Sequence, residues 1–195
     1  MKATRPRGPV ITVGGLHGVG KSTHATALAE SLGLKYVSTG LLFRDVASER
    51  GLTLMELTKL SAEDRAIDEE IDERSKGLLL QGGVVFDSML APYLSFSMNV
   101  EAFRIGLFAP LAVRTERIAR RDEIGQQQAL NETRIRERTE LERFRRYYNI
   151  DISDTSIYHL ILDTSLFPVE DNVKILCSAA TTYIRRVWPD WRFSQ

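Results

Sequence analysis

Gly15-Leu16-His17-Gly18-Val19-Gly20-Lys21-Ser22 fits the pattern G-x-x-x-x-G-K-[ST] without a mismatch, and its surroundings decide the fold. The apolar, β-branched run Val10-Ile11-Thr12-Val13 leads in, and a helical spacing of apolar residues (Ala25, Leu28, Ala29, Leu32) leads out. Glycines let the backbone curl so that successive N–H groups converge on phosphate oxygens. The helix that follows adds its positive N-terminal end. Residues Gly15, Leu16, His17, Gly18, Val19, Gly20, Lys21, Ser22 and Thr23 are therefore the expected phosphate cradle. Lys21 would reach the β- and γ-phosphates and Ser22 would offer its hydroxyl to Mg²⁺, while His17 is expected to face solvent. The expected ligand is a nucleoside triphosphate. A glycine-rich turn with no ligand is the alternative, and the flanking strand and helix speak against it.

Composition narrows the class. With 195 residues, 43% of them hydrophobic, the chain can bury a proper core, and one domain over 1–195 is expected. Twenty-six basic and 26 acidic residues cancel, so no global pull toward nucleic acid or an anionic membrane is expected. The lone Cys177 excludes an intramolecular disulfide and suits a reducing cytoplasm. No apolar stretch approaches the ~20 residues of a membrane span. The basic segment Met1 to Pro9 runs into a strand, which argues against a secretory signal.

Strands and helices alternate along the chain. Strands are predicted at Val10–Gly14, Lys35–Ser38, Val84 to Asp87, Phe103–Phe108 and His159–Leu162. Helices are predicted at 21–32, from Gly40 to about Arg50, from a Ser61/Asp64 cap pair to Gly82-Gly83, and at 111–121, 126–148 and 169–183. Such alternation argues for an α/β fold whose parallel sheet is covered on both faces. Trp188 and Trp191, in the tail, are expected to pack onto the domain.

A second anion cradle is legible in Ser38-Thr39-Gly40-Leu41-Leu42-Phe43-Arg44. A strand ending in hydroxyls, a helix start and a guanidinium one turn later can hold another phosphate, which points to a phosphorylated acceptor. An ordinary N-cap with an exposed arginine is the alternative.

These segments, with the strand ending in Asp87, resemble the nucleoside monophosphate kinases. The blocks Glu116 to Arg121, Arg136 to Tyr148, Ile150 to Tyr158 and Asp163-Thr164-Ser165 resemble the archaeal-type cytidylate kinases, from about Val10 to Ile175. The resemblance implies a three-layer P-loop NTPase fold with monophosphate-binding and lid helices. It also implies transfer of the γ-phosphoryl group of ATP·Mg²⁺ to CMP or dCMP. A cytoplasmic location is expected from the cysteine usage, and a monomer is the expected state, which the sequence does not determine.

Roles follow from the same resemblance. Lys21 and Asp87 would be catalytic, with Ser22 at the metal and Asp87 either holding Mg²⁺ or orienting the acceptor; a strand-end acid capping a turn is the alternative for Asp87. Arg117 and Arg121 would be lid arginines closing over the triphosphate, with Arg114 and Arg120 weaker candidates. Ser38, Gly40 and Arg44, together with Arg136, Glu140 and Arg143 spaced four and three apart, would grip the acceptor. A solvated helix laced with ion pairs, such as Glu142 with Arg146, is the alternative for the last three. No spacing of His24 or His159 suggests a metal.

One segment departs from the family. Where its members carry Glu/Asp-Gly-Arg, with the arginine at the acceptor phosphate, this chain reads Asp87-Ser88-Met89. Losing one charge-assisted contact weakens binding by roughly 1.5–3 kcal/mol. Another arginine substitutes, the acceptor differs from CMP, or activity is residual. A P-loop kinase of another phosphorylated or hydroxylated metabolite, and a nucleotide-binding regulator without transfer, therefore stay open. The Asp-Gly-Phe-Pro-Arg segment expected of adenylate kinases is absent.

Overall fold

The computed structural model describes residues 3–193, apart from the side chains at 62 and 63, so Met1 and Lys2 of the basic segment lie outside the described residues. Strands β1 (Val10–Gly14), β2 (Lys35–Ser38), β3 (Val84–Asp87), β4 (Phe103–Phe108) and β5 (Leu160–Asp163) form one sheet. Its order is β2-β3-β1-β4-β5, and every pairing is parallel. The helices are α1 (Lys21–Leu32), α2 (Thr39–Glu49), α3 (Leu54–Glu63), α4 (Arg65–Gln81), α5 (Ala91–Ser97), α6 (Leu111–Asp122), α7 (Gln126–Tyr148) and α8 (Val169–Val187).

Period-two alternation sorts the strand residues between two cores. Ile11, Val13, Val85, Ile105 and Leu107 meet α1 and α8 on one face, where Leu28, Leu176 and Ile184 are fully or nearly fully buried. Val10, Val84 and Phe86 face the other way, into a core closed by Leu57, Leu79, Leu94 and Phe144. The sheet is therefore the middle layer of three, as expected for parallel strands that are apolar on both sides.

Several boundaries differ from the sequence reading. Asp64 does cap α4, accepting from the Ala66 N–H at 2.9 Å, but Ser61 lies inside α3, a helix the polar pattern concealed. The α3 start carries a capping box between Thr53 and Glu56. Helix α5 also went unrecognised, because its seven residues are too few to show a period. Strand β5 begins one residue later than predicted, and α8 extends to Val187. Trp188 is buried and Trp191 packs against the α1/α8 core, as expected of the tail, while Cys177 is a free, half-buried thiol in α8.

All strands point their C-terminal ends toward one edge, where ligands bind in open parallel sheets. Register brings Ser38 of β2 opposite Asp87 of β3, and Asp87 opposite Val13 of β1. Both suspected phosphate cradles thus open on the same edge.

Candidate active site

The loop between β1 and α1 holds the conformation its glycines allow. Gly18 has φ +79°, and a Cβ there would lie 2.6 Å from the Arg114 carbonyl oxygen. Gly20 ends the loop at φ +87° and leads directly into α1, whose first residues Lys21, Ser22 and Thr23 line the cleft. The loop is tied down from outside: the Thr164 hydroxyl, just after β5, donates to the Val19 carbonyl at 2.9 Å. The Val19 side chain is itself buried in the core.

Lys21 donates to the Leu16 carbonyl at 3.0 Å. Burial pushes its ammonium below the usual lysine range, and the nearby Asp87 and Glu140 carboxylates partly oppose that shift. A desolvated cation of this kind is best satisfied by an anion in the loop. Beside it the Ser22 hydroxyl donates to Asp87 Oδ2 at 2.6 Å, and Tyr36 donates to the same oxygen at 3.1 Å. Asp87 is only 6% exposed. A hydroxyl and a carboxylate this close at the loop's edge make a hard-oxygen pair of the kind that suits Mg²⁺ shared with phosphate oxygens. Among the described residues there is no group of three or more His, Cys, Asp or Glu that could hold a metal. His24 is turned onto the Gly20 carbonyl, and His159 is stacked on Phe103.

On the other side, Ser38 caps α2 by accepting from the Leu41 N–H at 3.1 Å, so the helix opens at Thr39 rather than Gly40. Arg44 lines the cleft one turn later and has no hydrogen-bonding or ion-pair partner among the described residues. Ser88 stabilises the turn into α5: its hydroxyl oxygen accepts from the N–H groups of Leu90 and Ala91 and from Thr39 Oγ1. Met89 lines the cleft while packing on the apolar core.

The sequence candidates on α6 and α7 divide into pinned and available groups. Arg117 donates to the Thr164 carbonyl at 2.8 Å and the Thr164 hydroxyl at 3.0 Å, and it lines the cleft together with Arg121. Arg121 is paired with Asp122. Arg114, buried against Glu137 and the His17 carbonyl, is part of the scaffold, and Arg120 is exposed beside Glu116. Arg136, Glu140 and Arg143 all reach the cleft. Glu142 pairs with Arg138 at 3.0 Å rather than with Arg146.

His17 does not face solvent. Its Nε2 lies 2.6 Å from Glu140 Oε2, so α7 is latched onto the phosphate loop. The sequence offers no cue for this contact, since the two residues are 123 positions apart. Burial works to raise the Glu140 pKa, but the bond with His17 and the charges of Arg136 and Arg143 outweigh it and hold the carboxyl below its usual range.

Residues that sequence reasoning missed lie at the far end of the cleft. Asp68 and Asp72, one turn apart on α4, are pushed up in pKa mainly by burial. Arg143 Nη1 lies 3.3 Å from Asp68 Oδ2, and burial, with Asp72 beside it, pushes the Tyr148 hydroxyl up in pKa. On a helix this polar, two acids four apart read as a solvated face; only the packing of α7 against α4 encloses them.

Together these walls enclose one continuous cleft of about 1050 Å³, running from the phosphate loop past Arg44 to Asp72. That volume reaches the upper end of what single small ligands occupy. Among the described residues no helix is long and apolar enough to cross a membrane.

Comparison with known proteins agrees with this geometry. A shikimate kinase from Bacteroides thetaiotaomicron superposes with a TM-score of 0.61 at 17% identity, covering 89% of this chain and 98% of the other. A gluconokinase from Sinorhizobium meliloti gives 0.56 at 16%, covering 98% and 100%. These likenesses establish the P-loop kinase fold. Sequence similarity goes further. Cytidylate kinases from Aeropyrum pernix and Methanocaldococcus jannaschii are 48% and 40% identical over 168 and 171 residues, covering 86% and 87% of this chain and 96% of each relative. The model of the cytidylate kinase-like family matches residues 10–166. With that match spanning both cradles and the α7 wall, the chain belongs to the cytidylate kinase-like family.

Proposed function

We propose that the protein transfers the γ-phosphoryl group of ATP to a pyrimidine nucleoside monophosphate, CMP or dCMP, releasing ADP and the nucleoside diphosphate. The observation that carries this reading is the cleft in which the phosphate loop and Arg44, without a partner among the described residues, open on the same sheet edge. Such a cleft can hold two anionic substrates end to end, and phosphoryl transfer is mostly a matter of positioning and charge neutralisation.

The loop Gly15 to Thr23 binds the triphosphate, with Lys21 against the β- and γ-phosphates. Ser22 and Asp87 hold Mg²⁺, which when bound neutralises charge on the same phosphates. Asp87 also orients the acceptor. Ser38, Gly40 and Arg44 bind the acceptor phosphate, Arg44 supplying the cation that Met89 cannot. Arg117 and Arg121 turn inward over the transferring group once substrates bind, and Arg136, Glu140 and Arg143 grip the acceptor from α7. The chain acts as one domain and as a monomer in the cytoplasm, with neither nucleic acid nor membrane as partner.

An ADP-release assay over CMP, dCMP, UMP, AMP and GMP tests the reading. ATP consumption stimulated by CMP or dCMP is expected; no stimulation by any of the five overturns it. Met89 favours one second reading, a kinase for another phosphorylated or hydroxylated metabolite. Met89→Arg separates the two, since improved CMP turnover marks the monophosphate site as the working one.

A further inference from the structure

We infer that Asp68 and Arg143, rather than Glu140, read the base of the acceptor and set a preference for cytosine over uracil. This rests on the proposed function and adds to it the group that chooses the substrate.

The far end of the cleft offers apolar surface to a heteroaromatic ring and polar groups to its edge. Ile71, Leu90, Leu94 and Phe144 supply apolar walls, and the polar groups of α4 and α7 sit along one rim. At that rim Asp68 Oδ2 lies 3.3 Å from Arg143 Nη1. Arg143 Nε is buried and without a hydrogen-bond partner. A guanidinium N–H that is shut off from water and unpaired is costly, so a ligand acceptor there brings a gain. Glu140 does not read the base, because His17 and Arg136 engage its two oxygens; its share in gripping the acceptor is to hold Arg136 in place.

The pattern of the rim selects the base. A carboxylate followed by guanidinium N–H groups presents acceptor, donor, donor, the order along the pairing edge of guanine. Cytosine answers it with donor, acceptor, acceptor: the N4 amine, N3 and O2. Uracil presents O4 and N3–H to the same groups, setting an oxygen against the carboxylate and an N–H against the guanidinium. A site built to bond a particular group rejects an analogue that lacks it far more strongly than an apolar pocket does.

Steady-state kinetics with CMP, UMP and N4,N4-dimethyl-CMP provide the test. The wild-type protein is expected to favour CMP over either of the others by at least about a hundredfold in kcat/KM. Asp68→Asn, whose amide can either accept or donate, should cut the CMP/UMP ratio at least about tenfold while leaving the KM for ATP unchanged. Arg143→Lys, which keeps the charge and loses the fork, should also cut it. A ratio within about twofold of wild type in folded Asp68→Asn protein, or an equal fall with CMP and UMP, overturns the inference. If neither variant melts cooperatively, the wild type still decides: equal turnover of CMP and N4,N4-dimethyl-CMP overturns it. A wild-type protein that phosphorylates none of the three overturns the proposed function itself, whereas CMP turnover without discrimination removes only this inference.

Discussion

The two ends of the cleft are built by opposite strategies. The end proposed for the donor is one short segment, Gly15 to Thr23, whose shape is set locally by glycines and the start of α1. The end proposed for the acceptor draws on β2, α2, the turn after β3, α4 and α7, and there side chains such as Arg44, Asp68 and Arg143 line the cleft. Backbone cradles suit a ligand part common to many reactions, because N–H groups recognise phosphate whatever it is attached to. Side chains delivered from separate helices can be exchanged one at a time, which suits a ligand part that must be selected.

The contrast can be broken most sharply at the donor end. Lys21→Met should lower kcat by roughly a hundred- to thousandfold, measured by ADP release. It should also leave the fold intact and raise the melting temperature of the ligand-free protein. Burial disfavours the charged ammonium, so at neutral pH its replacement removes a destabilising group. Retained turnover would show that the loop is not the donor site. At the acceptor end Arg44→Ala should raise the KM for the monophosphate about ten- to a hundredfold, corresponding to roughly 1.5–3 kcal/mol, with the KM for ATP unchanged. Equal effects on both substrates would mean that the two ends are not separable.

Backbone dependence is sharpened by Gly18→Ala. A Cβ would force a positive φ on alanine and crowd the Arg114 carbonyl, so a loss of about 1–3 kcal/mol is expected in denaturant unfolding, along with weaker ATP binding. The smallest effect concerns the latch between the ends. The Glu140 carboxyl is held below its ordinary pKa, so its contribution to stability is present above that ordinary value and disappears as pH falls through the lowered one. Glu140→Gln should therefore flatten the acid side of the stability profile by under about 1 kcal/mol, read as melting temperature against pH.

How far each end could be read from the chain follows from the same division. The phosphate loop and its flanking elements were legible because motif, strand and helix are contiguous, and each rests on interactions within a few residues. The Ser38 to Arg44 segment was legible for the same reason. The His17–Glu140 latch, the pinning of Arg117 by Thr164 and the enclosure of Asp68 left no trace, since each joins residues dozens to more than a hundred positions apart. Helix α3 was hidden by exposed apolar residues such as Met55 and Leu60 within a polar run, and α5 by its brevity.

Amino-acid order alone determined the alternation of strands and helices, the buried parallel sheet and the phosphate loop. All depend on short-range periodicity and on the stereochemistry of individual residues. Which ionisable side chains face the cleft, which are spent on holding it together, and which pair at its far rim were decided only by the packing of α4, α6 and α7 around the sheet edge. Burial and partner distance are properties of assembled helices, and no single segment carries them.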